Sequence, residues 1–193
     1  MNYVYHGSKI QGLKKLYKRS STHQQEWVYA TPSKAVATIF ISNGGSDFNY
    51  SLSGRGTEDS PIILVERKAG MFDEIFNLSG SLYTLKGDNF QSKKTGWSAE
   101  VVSEFDEDII AEEHIDNVLQ KITELAEQGE LQLYRFPNRP DFVPLDNSDL
   151  IPKIIDWHNK GFKGVLEKFE LVYPELSEEL HKQLQNSNEN KSL

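Results

Sequence analysis

The first forty residues alternate between short runs typical of strands and one run typical of a helix. Residues 3–6 alternate aromatic and β-branched side chains, which predicts a strand that ends at the glycine and serine of positions 7–8. A second short strand is predicted for residues 27–30. Apolar residues then recur at helical spacing over 35–40, and the threonine and proline at 31–32 suit the start of that helix.

The middle of the chain predicts further strands separated by polar connections. Strands are predicted at residues 61–67, 82–85 and 100–105, and pairing continues at 109–110 after a turn. Two polar stretches interrupt this pattern. Residues 43–60 are rich in glycine and predict a long loop. Residues 9–22 carry five cations and predict a loop with a partial helix.

Near residue 112 the pattern changes from strands to helices. Residues 114–128 place five apolar side chains on one helical face. Further helices are predicted at 149–159, at 165–171 and from 174 to about 184. Because strands precede helices and do not alternate with them, the predicted class is α+β. We divide the chain into a β-rich domain of residues 1–118 and a mostly helical C-terminal region of residues 119–193.

Charge and composition narrow the classes of function. Residues 1–99 carry 12 basic and 8 acidic side chains, whereas residues 100–193 carry 9 and 21. A dispersed nucleic-acid surface is therefore not expected, but a local pyrophosphate site in the first half is compatible with these charges. The chain has no cysteine, which excludes disulfides and thiolate nucleophiles. No apolar run approaches the ~18 residues of a membrane span. We expect a cytoplasmic protein, and a secreted effector stays open.

Three short motifs carry the clearest chemical signal. Tyr5-His6-Gly7-Ser8 ends the first strand, and Val28-Tyr29-Ala30-Thr31-Pro32-Ser33 joins the second strand to a helix. The third motif is Trp97-Ser98-Ala99-Glu100-Val101-Val102-Ser103, preceded by a strand at residues 80–85. In this order the motifs resemble the ADP-ribosyltransferase superfamily, and within it the branch that has a His-Tyr-Glu triad. The resemblance covers roughly residues 2 to 118.

The resemblance implies a split, mostly antiparallel sheet with NAD+ in the cleft between its halves. Glu100, His6 and Tyr29 would be the catalytic residues. The carboxylate of Glu100 would stabilise positive charge on the ribose, and His6 would bind a ribose hydroxyl of the adenosine half. Gly7 would offer backbone groups to the carboxamide, and Tyr29 would stack on the nicotinamide ring. The other positions implied to bind NAD+ are Ser8, Thr31 and Ser33.

The expected function is that of an NAD+-dependent ADP-ribosyltransferase or NAD+ glycohydrolase, with a protein or a nucleic acid as acceptor. RNA 2′-phosphotransferases, in the same superfamily, share a related cleft. The alternative is a non-catalytic protein on the same fold that binds a partner, for example through its acidic C-terminal helices. Glu104 is a rival to Glu100, since alternation puts both on one face of a strand. Glu112, Glu113, His114 and Asp116 could suggest a metal site, but no second histidine stands at ligand spacing, so no metal is predicted.

Overall fold

The structure is a computed structural model of the chain and describes residues 2–20, 25–44 and 48–189. Parts of the two predicted loops, residues 21–22 and 45–47, lie outside the described residues. Among the described residues no helix has the length and apolar character of a membrane span. The chain is α+β, with mostly antiparallel sheets and helices gathered toward the C-terminus.

The strands form three sheets. They are β1 Tyr3–Ser8, β2 Lys15–Leu16, β3 Arg19–Ser20, β4 Glu26–Ala30, β5 Tyr50–Ser53, β6 Ile63–Glu66, β7 Gly80–Lys86, β8 Gln91–Ser92, β9 Val101–Ser103, β10 Glu107–Ile115 and β11 Gln132–Tyr134. The sheet orders are β1-β7-β10-β2, β3-β4-β9-β8 and β11-β6-β5. The β11–β6 pair is parallel, and the other strand pairs of the described residues are antiparallel.

The helices are α1 Lys34–Ile39, α2 Met71–Phe76, α3 Val118–Glu127, α4 Leu150–Asn159, α5 Val165–Val172 and α6 Ser177–Glu189, with a 3-10 turn at Pro174–Leu176. The predicted helices at 149–159 and 165–171 correspond closely to α4 and α5. The start predicted for the first helix is wrong. Ser33 caps α1, accepting a hydrogen bond from the amide of Val36 at 3.3 Å.

Two further element predictions are wrong. The basic segment of residues 9–20 contains the short strands β2 and β3 and no helix among its described residues. The helix predicted from residue 114 begins at Val118, because β10 continues to Ile115. A register shift between Ile109 and Ala111 interrupts the alternation of β10, so the segment does not show a strand pattern.

Three apolar clusters hold these elements together. The main cluster joins α1, α2 and α3 to β6 and β7. A second cluster lies between the sheets of β1 and β4, where Val4 and Leu85 meet Val28 and Val101. The third cluster joins α4, α5 and α6 to Phe48. The helix α3 therefore packs against the β-rich part of the chain. The helices α4, α5 and α6 pack mainly against one another.

A buried ion pair joins α4 to β6. The guanidinium of Arg67, which directly follows β6, makes two hydrogen bonds to the carboxylate of Asp149, at 2.6 and 2.8 Å. The side chain of Arg67 is 5% exposed and that of Asp149 is 34% exposed. Lys68 adds a bond of 2.6 Å to the carbonyl of Val172. The end of one central strand thus holds the C-terminal helices in place.

A carboxylate on β10 anchors the connection between β1 and β2. Glu112 Oε1 accepts hydrogen bonds from the Gly12 amide and the Ser81 hydroxyl, both at 2.7 Å. The hydroxyl of Tyr83 lies 3.0 Å from the same oxygen. These donors lower the pKa of Glu112, the Gly12 amide contributing most. The ionised carboxylate therefore fixes the loop that follows β1.

Candidate functional site

Strand pairing brings the three sequence motifs to one place. Tyr5 of β1 exchanges two backbone hydrogen bonds with Thr31, just after β4, at 2.7 and 2.9 Å. His6 is next to this bridge, and Tyr29 lies two residues before it. On the other edge of β4, Ala30 pairs with Val101 of β9, so Glu100 lies opposite Thr31. The site therefore follows from the register of β1, β4 and β9.

A cavity of about 140 Å³ lies where these strands meet. Five of the predicted site residues line it: His6, Gly7, Tyr29, Thr31 and Glu100. Its other walls are Tyr5, Ala30, Ala37 and Phe40. The walls thus combine aromatic rings with one imidazole and one carboxylate.

A backbone carbonyl sets the protonation of His6. Its Nδ1 lies 2.8 Å from the carbonyl oxygen of Tyr29, and a carbonyl only accepts, so Nδ1 carries the proton. Burial lowers the pKa of His6, and the positive charge of Arg19 lowers it further, while the bond to the carbonyl opposes them. Near pH 7 the ring is neutral. Its Nε2 is then an acceptor for a hydroxyl.

Gly7 is required by a close approach of backbone. A Cβ at this position would lie 1.9 Å from the carbonyl oxygen of Ala37 in α1. Hydrogen-bonding direction alternates along a strand, and the amide and carbonyl of Tyr5 point to Thr31, away from β7. Those of Gly7, two residues on, point the same way, into the space beside β4.

Glu100 is positioned by the turn that precedes β9. Its amide donates to the carbonyl of Trp97 at 3.2 Å. The indole N–H of Trp97 donates to the carbonyl of Gly54 at 3.1 Å, and its ring meets Phe40 edge-on at 6.1 Å. Glu104, the predicted rival, is exposed beyond the end of β9 and does not line this cavity.

The two predicted serines line two different cavities that adjoin the central cavity. Ser8 lines a cavity of about 110 Å³ that shares His6 and Tyr29 with the central one and also contains Arg19. Ser33 lines a cavity of about 810 Å³ that shares Tyr5 and Thr31 with it. Ser33 also caps α1, so its hydroxyl oxygen already serves the helix.

Some wall residues were not predicted as site residues. Phe40 was noted only for its helical spacing in the first helix, but it is 44% exposed and lines the cavity together with Ala37. Tyr5 was noted only as the neighbour of His6. Strand alternation gives no signal for Tyr5, because adjacent side chains of a strand point to opposite faces of the sheet.

The described residues contain no group of three or more histidine, aspartate or glutamate side chains arranged to hold a metal ion. Comparison of the chain with protein-family models, with curated proteins and with solved structures finds no significant match.

Proposed function

We propose that the protein binds NAD+ and cleaves the bond between its nicotinamide ring and ribose, transferring ADP-ribose to an acceptor or to water. One observation carries the proposal. His6, Tyr29 and Glu100 are separated by 23 and 71 positions, yet all three line one cavity. This is the combination of imidazole, phenol and carboxylate that the resemblance to the His-Tyr-Glu branch implies.

The central cavity suits a single ring and not a whole dinucleotide. Complete ligand sites usually enclose about 300–1,000 Å³, whereas this cavity encloses about 140 Å³. Nicotinamide lies against the ring of Tyr29, and its carboxamide meets the outward amide and carbonyl of Gly7. The adenosine half extends past His6 toward Ser8, where Arg19 offers positive charge to the pyrophosphate.

The chemistry assigns one task to each polar side chain. His6 accepts a hydrogen bond at Nε2 from a ribose hydroxyl of the adenosine half. Glu100 stabilises the positive charge that grows on the other ribose as the bond to nicotinamide breaks. The bonding electron pair leaves on the nicotinamide nitrogen, and the acceptor forms the new bond at the same ribose carbon. The acceptor proton passes to Glu100 or to solvent.

The test compares Glu100→Gln with Glu104→Gln in two assays. Thermal unfolding with and without NAD+ reports binding, and nicotinamide release reports turnover. We expect Glu100→Gln to keep the NAD+-induced stabilisation and to slow release about 10²–10³-fold, since the amide cannot offset the developing charge. Glu104→Gln, the matched control, should release nicotinamide at the wild-type rate.

Each other outcome has a definite meaning. Equal turnover by wild type and Glu100→Gln removes the catalytic role of Glu100. Stabilisation of the wild type by NAD+ without any release favours the alternative, a non-catalytic partner-binding protein on the same fold. If NAD+ neither stabilises the protein nor is cleaved, the proposal is wrong.

A further inference from the structure

Two further cavities continue from the central cavity, and neither is the cavity that Ser8 lines. The cavity of about 810 Å³ shares Tyr5 and Thr31 with the central cavity. At its far end it shares Pro61, Gly129 and Gln132 with a cavity of about 640 Å³ along β11. We call these two adjoining cavities the long trough. The long trough is much larger than a water molecule, and it extends from the candidate site to the edge of a sheet.

The far end of the long trough is the open edge of a sheet. In the order β11-β6-β5, the described residues give the strand β11 a partner on one side only. The amide of Gln132 donates to the carbonyl of Ile62 at 2.8 Å, so Gln132 points its backbone groups toward β6. By alternation, the amide and carbonyl of Leu133 point away from β6, on the side of the trough that Leu133 lines. Such an edge accepts a further extended chain.

The charges along the trough change sign from one end to the other. Lys34, whose ammonium lies 5.4 Å from the centre of the Tyr5 ring, lines the part nearest the central cavity, and Arg55 lines the same wall next to Pro61. Glu130 and Glu127 line the part near β11. With Glu58 also in the wall, acids outnumber bases, and a polyanion gains little here. A polypeptide with acidic residues at one end and basic residues at the other complements this order.

We propose that the long trough binds an extended polypeptide, which adds a strand to the open edge of β11 and brings one side chain to the mouth of the central cavity. Its basic residues lie beside Glu127 and Glu130, and its acidic residues lie beside Lys34. As an acceptor site this rests on the proposed function, whereas peptide binding itself does not. An oxygen or nitrogen of the presented side chain forms the bond to the ribose carbon as nicotinamide leaves with its electron pair. The proton of that side chain passes to Glu100.

The probe for the test is a library of random dodecapeptides displayed on phage and selected on the full chain. Enriched peptides are synthesised with a fluorescent label, and their affinity is measured by anisotropy. We expect enriched peptides to carry basic residues toward one end and acidic residues toward the other.

Two different variants test where these peptides bind. Gln132→Trp places a bulky ring at the junction of the two cavities. The double variant Glu127→Lys, Glu130→Lys reverses the charge of the far end. We expect each to weaken binding by at least about tenfold. Glu178→Lys, an exposed charge reversal on α6, is the matched control and should change the affinity less than about twofold. Circular dichroism verifies that each variant is folded.

The inference is overturned if no peptide is enriched, if the enriched peptides bind both trough variants as well as the wild type, or if single-stranded oligothymidine binds there in their place. The experiments distinguish a failure of the peptide site from a failure of the proposed function. Peptide binding by a wild type that releases no nicotinamide keeps the peptide site and removes the enzyme. Nicotinamide release without peptide binding keeps the enzyme and removes the polypeptide acceptor.

Discussion

His6 shows at the residue scale how local contacts prepare a side chain for its proposed task. The carbonyl of Tyr29 accepts a hydrogen bond from Nδ1–H, and burial disfavours a second proton on the ring. Both effects leave Nε2 as an acceptor at neutral pH. Neither effect needs a ligand, so the imidazole is preorganised.

We predict that His6 titrates below the ordinary histidine value of about 6.5. In the interval between that lowered pKa and about 6.5, the unfolded chain binds more protons than the folded chain. The contribution of His6 to stability therefore rises with pH across this interval and is lost as pH falls through it. An NMR titration of the imidazole resonances measures the midpoint directly. A midpoint at or above 6.5 would contradict the inferred neutral ring.

Gly7 gives a second prediction at this scale. Gly7→Ala places a methyl group 1.9 Å from the carbonyl oxygen of Ala37, so α1 must move away from β1. We expect a loss of about 2–3 kcal/mol in the free energy of unfolding, measured with urea. Ser92→Ala, at an exposed position of β8, serves as the control and should change it by less than about 0.5 kcal/mol. Equal stability of the two variants would mean that the backbones do not approach so closely.

The sequence identified His6, Tyr29 and Glu100 as site candidates because each stands in a short motif beside a predicted strand end. It could not show on which side of the cavity Ser33 lies, since that depends on how α1 packs against β1. For the same reason the helical spacing of Phe40 did not show that this residue lines the cavity. Contacts between elements, and not residue type, decide these positions.

At the scale of elements, β10 was the least predictable part of the fold. Glu112, Glu113 and His114 lie in this strand, although by composition they suggest the first turn of a helix. The register shift after Ile109 removes the alternation that identifies a strand. Pairing with β7 and β2 stabilises this segment as a strand, and such pairing cannot be inferred from the local sequence.

Glu112 links β10 to the loop after β1 and makes that link dependent on pH. Its pKa is lowered, so its contribution to stability is present above the ordinary glutamate value of about 4.3 and is lost as pH falls through the lowered value. We predict that Glu112→Gln unfolds at a lower urea concentration than wild type at neutral pH. The difference should shrink as the pH falls below about 4.3 and through the lowered pKa of Glu112, because the wild-type carboxyl then takes up a proton.

The control for this experiment is Glu113→Gln on the neighbouring position. Glu113 is 43% exposed and pairs with Lys121 on the surface. Its replacement should have little effect at any pH, since exposed pairs contribute about 0–1 kcal/mol. A difference for Glu112→Gln that stays constant with pH would show that the carboxylate charge does not hold the loop.

At the scale of the whole molecule, the order of strands and helices predicted the α+β class correctly. The attachment of the C-terminal helices was not predictable from that order. It depends on the pair of Arg67 and Asp149. From the sequence alone, Arg67 is a charged residue at the end of a strand, and Asp149 is a residue at the start of a helix. Their pairing across 82 positions is a tertiary fact.

We predict that Asp149→Ala lowers the free energy of unfolding by about 2–3 kcal/mol. The change leaves the guanidinium of Arg67 without its carboxylate at a site where it is 5% exposed, and the partial exposure of Asp149 keeps the cost below that of a fully buried pair. Asp156→Ala is the control, because it removes an exposed pair with Lys160 in the same helix and should cost less than about 0.5 kcal/mol. Chemical denaturation compares the two variants, and similar losses would show that the buried pair does not hold the helices.

The hydrogen bond that orients His6 comes from the main chain of residue 29, whereas the ring that lines the cavity comes from the side chain of the same residue. Replacing Tyr29 with leucine or phenylalanine changes the side chain and leaves this backbone carbonyl in place. The two contributions of this one position are therefore genetically separable. The side chain at position 29 can therefore be changed while His6 keeps the hydrogen bond that sets its tautomer and orientation.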